Sequence, residues 1–74
     1  MRKYRTLRAR MAEMDVRGED LARVLLLSEQ SISHRMTGRT SWALDEAYKV
    51  LDYLSVPHGE IGRYFPAGGT DATA

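Results

Sequence analysis

The chain contains no cysteine. No disulfide can staple its core, and zinc sites built on thiolates are excluded. It has no run of about 18 apolar residues, the length a helix needs to cross a bilayer. Its net charge is only +1, so the total charge gives no sign of a polyanionic partner. Neither an internal repeat nor the alternation of a β-strand occurs. No nucleophile–base pair, metal-ligand cluster or phosphate-cradling loop stands in the sequence, which argues against an enzyme and leaves no cofactor, metal or small-molecule ligand to expect. His34 and His58 are too far apart in the pattern to suggest a metal site. The basic N-terminal stretch lacks the apolar segment of a secretory signal, so a cytoplasmic protein is expected.

Seventy-four residues make one small domain. It is expected over 1–65. The remainder, 66–74, reads PAGGTDATA, holds no large apolar side chain and is expected to be a disordered tail. Charge is distributed unevenly. Residues 1–10 carry Arg2, Lys3, Arg5, Arg8 and Arg10 with no acid, whereas 11–20 carry Glu13, Asp15, Glu19 and Asp20 against Arg17. Arg35 and Arg39 add positive charge without an acid between them, and 41–60 is net acidic. One face can therefore be strongly positive on a nearly neutral molecule.

Apolar spacing predicts an all-α fold. Tyr4, Leu7, Met11 and Met14 mark a first helix over 2–14. A second runs over 18–25, with Glu19 and Asp20 in the first turn, where the helix dipole favours carboxylates. Leu26-Leu27 forms a corner. Ser28 caps a third helix that runs to 36 or 37, with Ile32 and Met36 turned inward and Gly38 as its stop. A fourth, over 43–54, carries Leu44, Ala47, Tyr48, Leu51 and Leu54 on one stripe. Pro57 opens a short last helix over 58–65, whose Ile61 and Phe65 close the core. Trp42, in the loop before the fourth helix, reads as a lid on that core or as an exposed interface anchor. Tyr53 and Tyr64 fall at the edge of the apolar stripe and suit a dimer contact.

The stretch 21–39, LARVLLLSEQSISHRMTGR, is the most informative. It reads as two short helices around a tight corner, the second presenting Glu29, Gln30, Ser33 and His34 outward. A short helix with an apolar inner face and a hydrogen-bonding outer face suits the DNA major groove. Gln30 can pair with adenine, His34 can donate to guanine, and Glu29 can accept from cytosine. Arg35 and Arg39 flank this helix as phosphate candidates, with Arg8, Arg10 and Arg17 as additions and Ser28 at the helix start.

These residues resemble the Cro/repressor-type helix-turn-helix family, also called the lambda-repressor-like or xenobiotic-response-element family, and most closely its small phage and prophage regulators. The similarity covers roughly 4–65 and includes Leu21 to Leu25, Ser28 to Ser33, Gly38, the run Trp42-Ala43-Leu44-Asp45-Glu46 and Leu54-Ser55-Val56-Pro57. It implies a compact five-helix domain with the helix-turn-helix at the second and third helices. It implies a sequence-specific regulator of transcription in a bacterial cell or phage-infected host, bound to double-stranded operator half-sites as a homodimer, at least on DNA. Ala22 matches the small residue that lets the third helix approach, and Ile32 the buried anchor. Glu29, Gln30, Ser33 and His34 match positions that face bases. Ser28, Ser31, Thr37, Arg39, Thr40 and Ser41 match positions that meet phosphates. Two departures stand out. Leu26 occupies a corner that usually carries glycine, so either it accepts a left-handed backbone or the corner is built differently. Arg17-Gly18 replaces the usual Thr-Gln at the start of the second helix, which removes a side-chain cap there. A protein-interaction module on the same fold, such as an antitoxin or an antirepressor partner, is the competing reading, marked by an apolar patch at Trp42, Tyr53, Tyr64 and the last helix.

Overall fold

The amphipathic stripes fold into five α-helices, and no strand occurs among the described residues. The computed structural model describes residues 3–66. The expected tail, apart from Pro66, lies outside them. In chain order the helices are α1 (Arg5–Glu13), α2 (Gly18–Leu25), α3 (Glu29–Met36), α4 (Leu44–Tyr53) and α5 (Ile61–Tyr64). A single 3-10 turn, His58–Glu60, leads into α5. The packing is compact. None of these helices is long and apolar enough to cross a membrane.

Four helix ends are closed the same way. After α1, α2, α3 and α4 the chain turns through a left-handed residue: Asp15 (φ 55°), Leu26 (57°), Gly38 (82°) and Ser55 (57°). The following N–H reaches back to a carbonyl five residues earlier: Val16 to Met11 (2.8 Å), Leu27 to Ala22 (2.9 Å), Arg39 to His34 (2.8 Å) and Val56 to Leu51 (2.9 Å). This is the Schellman arrangement, which satisfies carbonyls the helix leaves open. Only Gly38 adopts this backbone without a steric cost; for the other three it is on the order of 1 kcal/mol each. Leu26 therefore accepts the strain at the α2–α3 corner.

The helix starts rely on acids. The backbone N–H of Arg17 donates to the Asp20 carboxylate (2.8 Å), and that of Ala43 to Glu46 (3.0 Å). Each is the reciprocal half of a capping box, made by the third residue of its helix. The start of α2 thus lacks a side-chain cap from Arg17 but keeps this bond. At α3 the Ser28 hydroxyl accepts from the Ser31 N–H (3.1 Å).

The core gathers Tyr4, Leu7, Met11, Leu21, Ala22, Ile32, Met36, Val50, Leu51, Leu54 and Val56. α2 packs chiefly on α3 and α4, and α5 closes against α1 and α4. Trp42 covers one end, at 6.4 Å from the Tyr4 ring and 5.2 Å from that of Phe65, both edge-on. The lid reading of Trp42 is the one observed. Burial pushes the Tyr4 phenol up from its ordinary pKa.

Four expectations need correction. α1 starts at Arg5, not at residue 2, because Tyr4 is left-handed (φ 56°) and turned into the core. The stripe of α4 is rotated: Leu44 is 66% exposed, while Val50 is fully buried. Met14 lies past the last turn of α1 and is 38% exposed. The span expected as one last helix is a 3-10 turn followed by one turn of α-helix.

Candidate functional site

α3 is held by its inner face and presents its outer one. Ile32 is 1% exposed and Met36 7%, whereas Glu29, Gln30 and Ser33 are open to solvent and His34 is half-buried. Ile32 also meets the start of α2, where a Cβ on Gly18 would stand 3.7 Å from its Cγ2. That near contact seats α3 directly beside the first turn of α2. Between them lies a cleft of about 400 Å³, lined by Arg17, Glu19, Glu29 and Ser33 over a floor of Gly18 and Ile32. Arg17, from the start of α2, is thereby brought to one surface with Glu29 and Ser33 of α3.

The orientation of α3 is set by a polar link to α4. Arg35 donates through Nε to Glu46 Oε1 (2.9 Å) and through Nη2 to Oε2 (3.1 Å). Its Nη1 donates to the Ser31 carbonyl (3.2 Å). Both side chains of the ion pair are largely covered, at 14% and 18% exposure. The Arg35 guanidinium, with help from the Ala43 N–H, holds the Glu46 carboxyl below its ordinary pKa. At α2, the Arg17 N–H and then the Arg23 guanidinium do the same for Asp20.

Four residues expected at phosphates have donors engaged inside the protein. Arg35 is tied to Glu46 and Ser31. Arg10 donates twice to the Leu54 carbonyl (3.1 and 3.0 Å), joining α1 to the end of α4. Arg8 donates to the carbonyls of Lys3 (2.9 Å) and Met36 (3.0 Å). The Thr37 hydroxyl lies 3.0 Å from the Ser33 carbonyl and 3.3 Å from that of His34, and donates back into its own helix. Carbonyls at helix ends attract such donors because the last turn leaves them unpaired and partly negative. Arg17, Ser28, Arg39, Thr40 and Ser41 are exposed around the open face of α3, and Ser31 is partly covered. Ser28 and Ser31 share a hydroxyl–hydroxyl bond of 3.0 Å.

A second surface feature lies at the start of α4. An apolar groove of about 390 Å³ runs between Trp42, Leu44, Ile61, Phe65 and Pro66. Trp42 and the last helix, two parts of the apolar patch expected for an interaction module, line it, whereas Tyr53 and Tyr64 do not. Tyr53 is 43% exposed at the far end of α4, and Tyr64 is packed against the core. Among the described residues no group of three His, Asp or Glu side chains is placed to hold a metal. His58 pairs with Asp52 (2.7 Å) and lies against the Tyr48 ring at a tilt of 41°.

No curated protein and no solved structure matches this chain. Residues 2–67 match the family described as "Protein of unknown function (DUF739)". That match takes in every helix and both surface features, so the chain belongs to the DUF739 family.

Proposed function

We propose that this domain is a sequence-specific, double-stranded-DNA-binding regulator of transcription of the Cro/repressor type, with α2 and α3 as its helix-turn-helix. One observation carries the reading. α3 offers a solvent-facing polar row, Glu29, Gln30 and Ser33, while Ile32 and Met36 fasten its opposite side to the core. A helix so held can enter a major groove without unfolding anything. Gln30 is the principal base reader, through a two-bond pair with adenine. Glu29, Ser33 and His34 line the same face. Arg17, Arg39, Thr40 and Ser41 stand where phosphates would pass, and Ser28 with Ser31 marks the helix start. One such domain makes few phosphate contacts, so two copies on paired half-sites, about one helical turn apart, give useful affinity.

Selection from a random duplex pool tests this. The wild-type chain is expected to enrich a short motif, and Gln30→Ala to relax one position of it by about 5–150-fold, the equivalent of 1–3 kcal/mol. A pool that emerges without enrichment overturns the proposal.

The groove favours a second reading, a protein-interaction module. Leu44 is exposed on its wall. The Trp42 indole Nε1 is buried with no hydrogen-bond partner among the described residues. A bound peptide carbonyl would satisfy that donor. Salt-insensitive binding that needs Leu44 rather than Gln30 would select this reading.

A further inference from the structure

Arg8 brackets the start of the chain to the end of α3. Its Nε donates to the Lys3 carbonyl and its Nη2 to the Met36 carbonyl, at 2.9 and 3.0 Å. Tyr4, the next residue, is buried and left-handed, with its ring against Trp42 and Phe65. Residue 3 is therefore pinned from both sides beside the last turn of α3.

The Lys3 side chain then crosses Gly38. A Cβ at position 38 would stand 2.6 Å from Lys3 Cδ, 2.7 Å from Cε and 3.5 Å from Nζ. A residue without a side chain leaves that path open. Gly38 so serves twice, as the left-handed stop of α3 and as the bed on which the lysine stem lies. A cleft of about 330 Å³ opens there between Lys3, Arg8, Met36 and Thr37. Arg39, exposed, follows immediately, and its guanidinium makes no hydrogen bond or ion pair among the described residues. The helix is thus electrically lopsided. Glu19 and Glu29, with Arg17, border its beginning, whereas Lys3 and Arg8 line the cleft at its close and Arg39 follows Gly38 in the chain. Arg8 offsets the negative helix end through the Met36 carbonyl.

We infer that Lys3 and Arg39 form a phosphodiester-binding site at the C-terminal end of α3, with Arg8 as the positioning residue that places Lys3. The inference rests on the DNA-binding reading and deepens it. Part of the backbone affinity on this surface then comes from the end of α3, away from its acidic first turn and in addition to Arg17 at the other end. Lys3 is exposed, so its replacement leaves the core intact.

Titrations of the full chain with a duplex selected from a random pool, and with a duplex of unrelated sequence, test the site at several salt concentrations. Lys3→Gln is expected to weaken both complexes alike and to lower the slope of log K against log salt by about one. Lys3→Arg is expected to restore the slope, and Lys49→Gln, on α4, to leave it unchanged. If the wild type binds and Lys3→Gln keeps the full slope, the site is overturned and the DNA-binding reading stands. A loss confined to the selected duplex would assign Lys3 to bases and equally contradict a phosphate site. A wild-type chain that binds neither duplex overturns both.

Discussion

Arg35 and Glu46 meet in a two-pronged ion pair that fastens α3 to the first turn of α4. The same Glu46 oxygen that takes Arg35 Nε also accepts the Ala43 N–H. One carboxylate thus caps α4 and orients the helix proposed to read DNA. Replacing it by glutamine leaves the covered guanidinium without its ion pair, with the Ser31 carbonyl as its remaining partner, and puts a weaker acceptor at the helix start. Glu46→Gln is expected to cost about 1–3 kcal/mol, measured by urea unfolding near neutral pH.

That pair also sets an acid limit. The native Glu46 pKa is depressed, so its contribution is fully present above the pKa of the unfolded chain. It disappears as the pH falls through the lower native value. Asp20 is depressed as well and acts in the same direction. Unfolding midpoints measured from neutral pH downward are expected to fall through the acidic carboxylate range. Glu46→Gln should flatten that fall without abolishing it.

Leu26 carries strain without burial. Its backbone is left-handed (φ 57°) and its side chain is 90% exposed. Leu26→Gly relieves the steric clash and gives up little packing, against a greater entropy loss on folding. A net gain of about 0.5–1 kcal/mol is expected from thermal or urea unfolding. Gly38→Ala should move stability the other way by about 1–2 kcal/mol.

The two sides of α3 should respond differently to mutation. Ile32→Val trims a fully covered side chain and is expected to lower stability by about 1 kcal/mol. Gln30→Ala, on the open side, should stay within about 0.5 kcal/mol of wild type. A Gln30→Ala chain that unfolds readily would mean that this face is structural.

Local signals in the sequence carried α2 and α3 well. Glu19 and Asp20 opened α2, Ser28 capped α3, Gly38 ended it, and Ile32 and Met36 lay inward as their spacing required. Those signals act within one turn of helix, where sequence distance equals spatial distance. Contacts between distant segments were not legible in the same way. Spacing marks Arg8, Arg10 and Arg35 as cations near the proposed surface. It does not reveal that the carbonyls of Met36 and Leu54 and the carboxylate of Glu46 would face them. The α4 stripe slipped for a related reason. Leu44 sits at the first turn, beside the groove floored by Trp42 and Phe65, so its apolar side chain has no wall to meet. Lys3 looked like one more charge in a basic run, because its path over Gly38 depends on the left-handed turn at Tyr4.

Amide shifts in a nitrogen-15 spectrum, followed as a selected duplex is added, test the central claim most directly. Docking of α3 in a major groove should give the largest changes at Glu29, Gln30, Ser33 and His34, with further changes at Lys3, Arg17 and Arg39. Shifts gathered instead around Trp42, Leu44 and Phe65, or no shifts with any duplex, would contradict it.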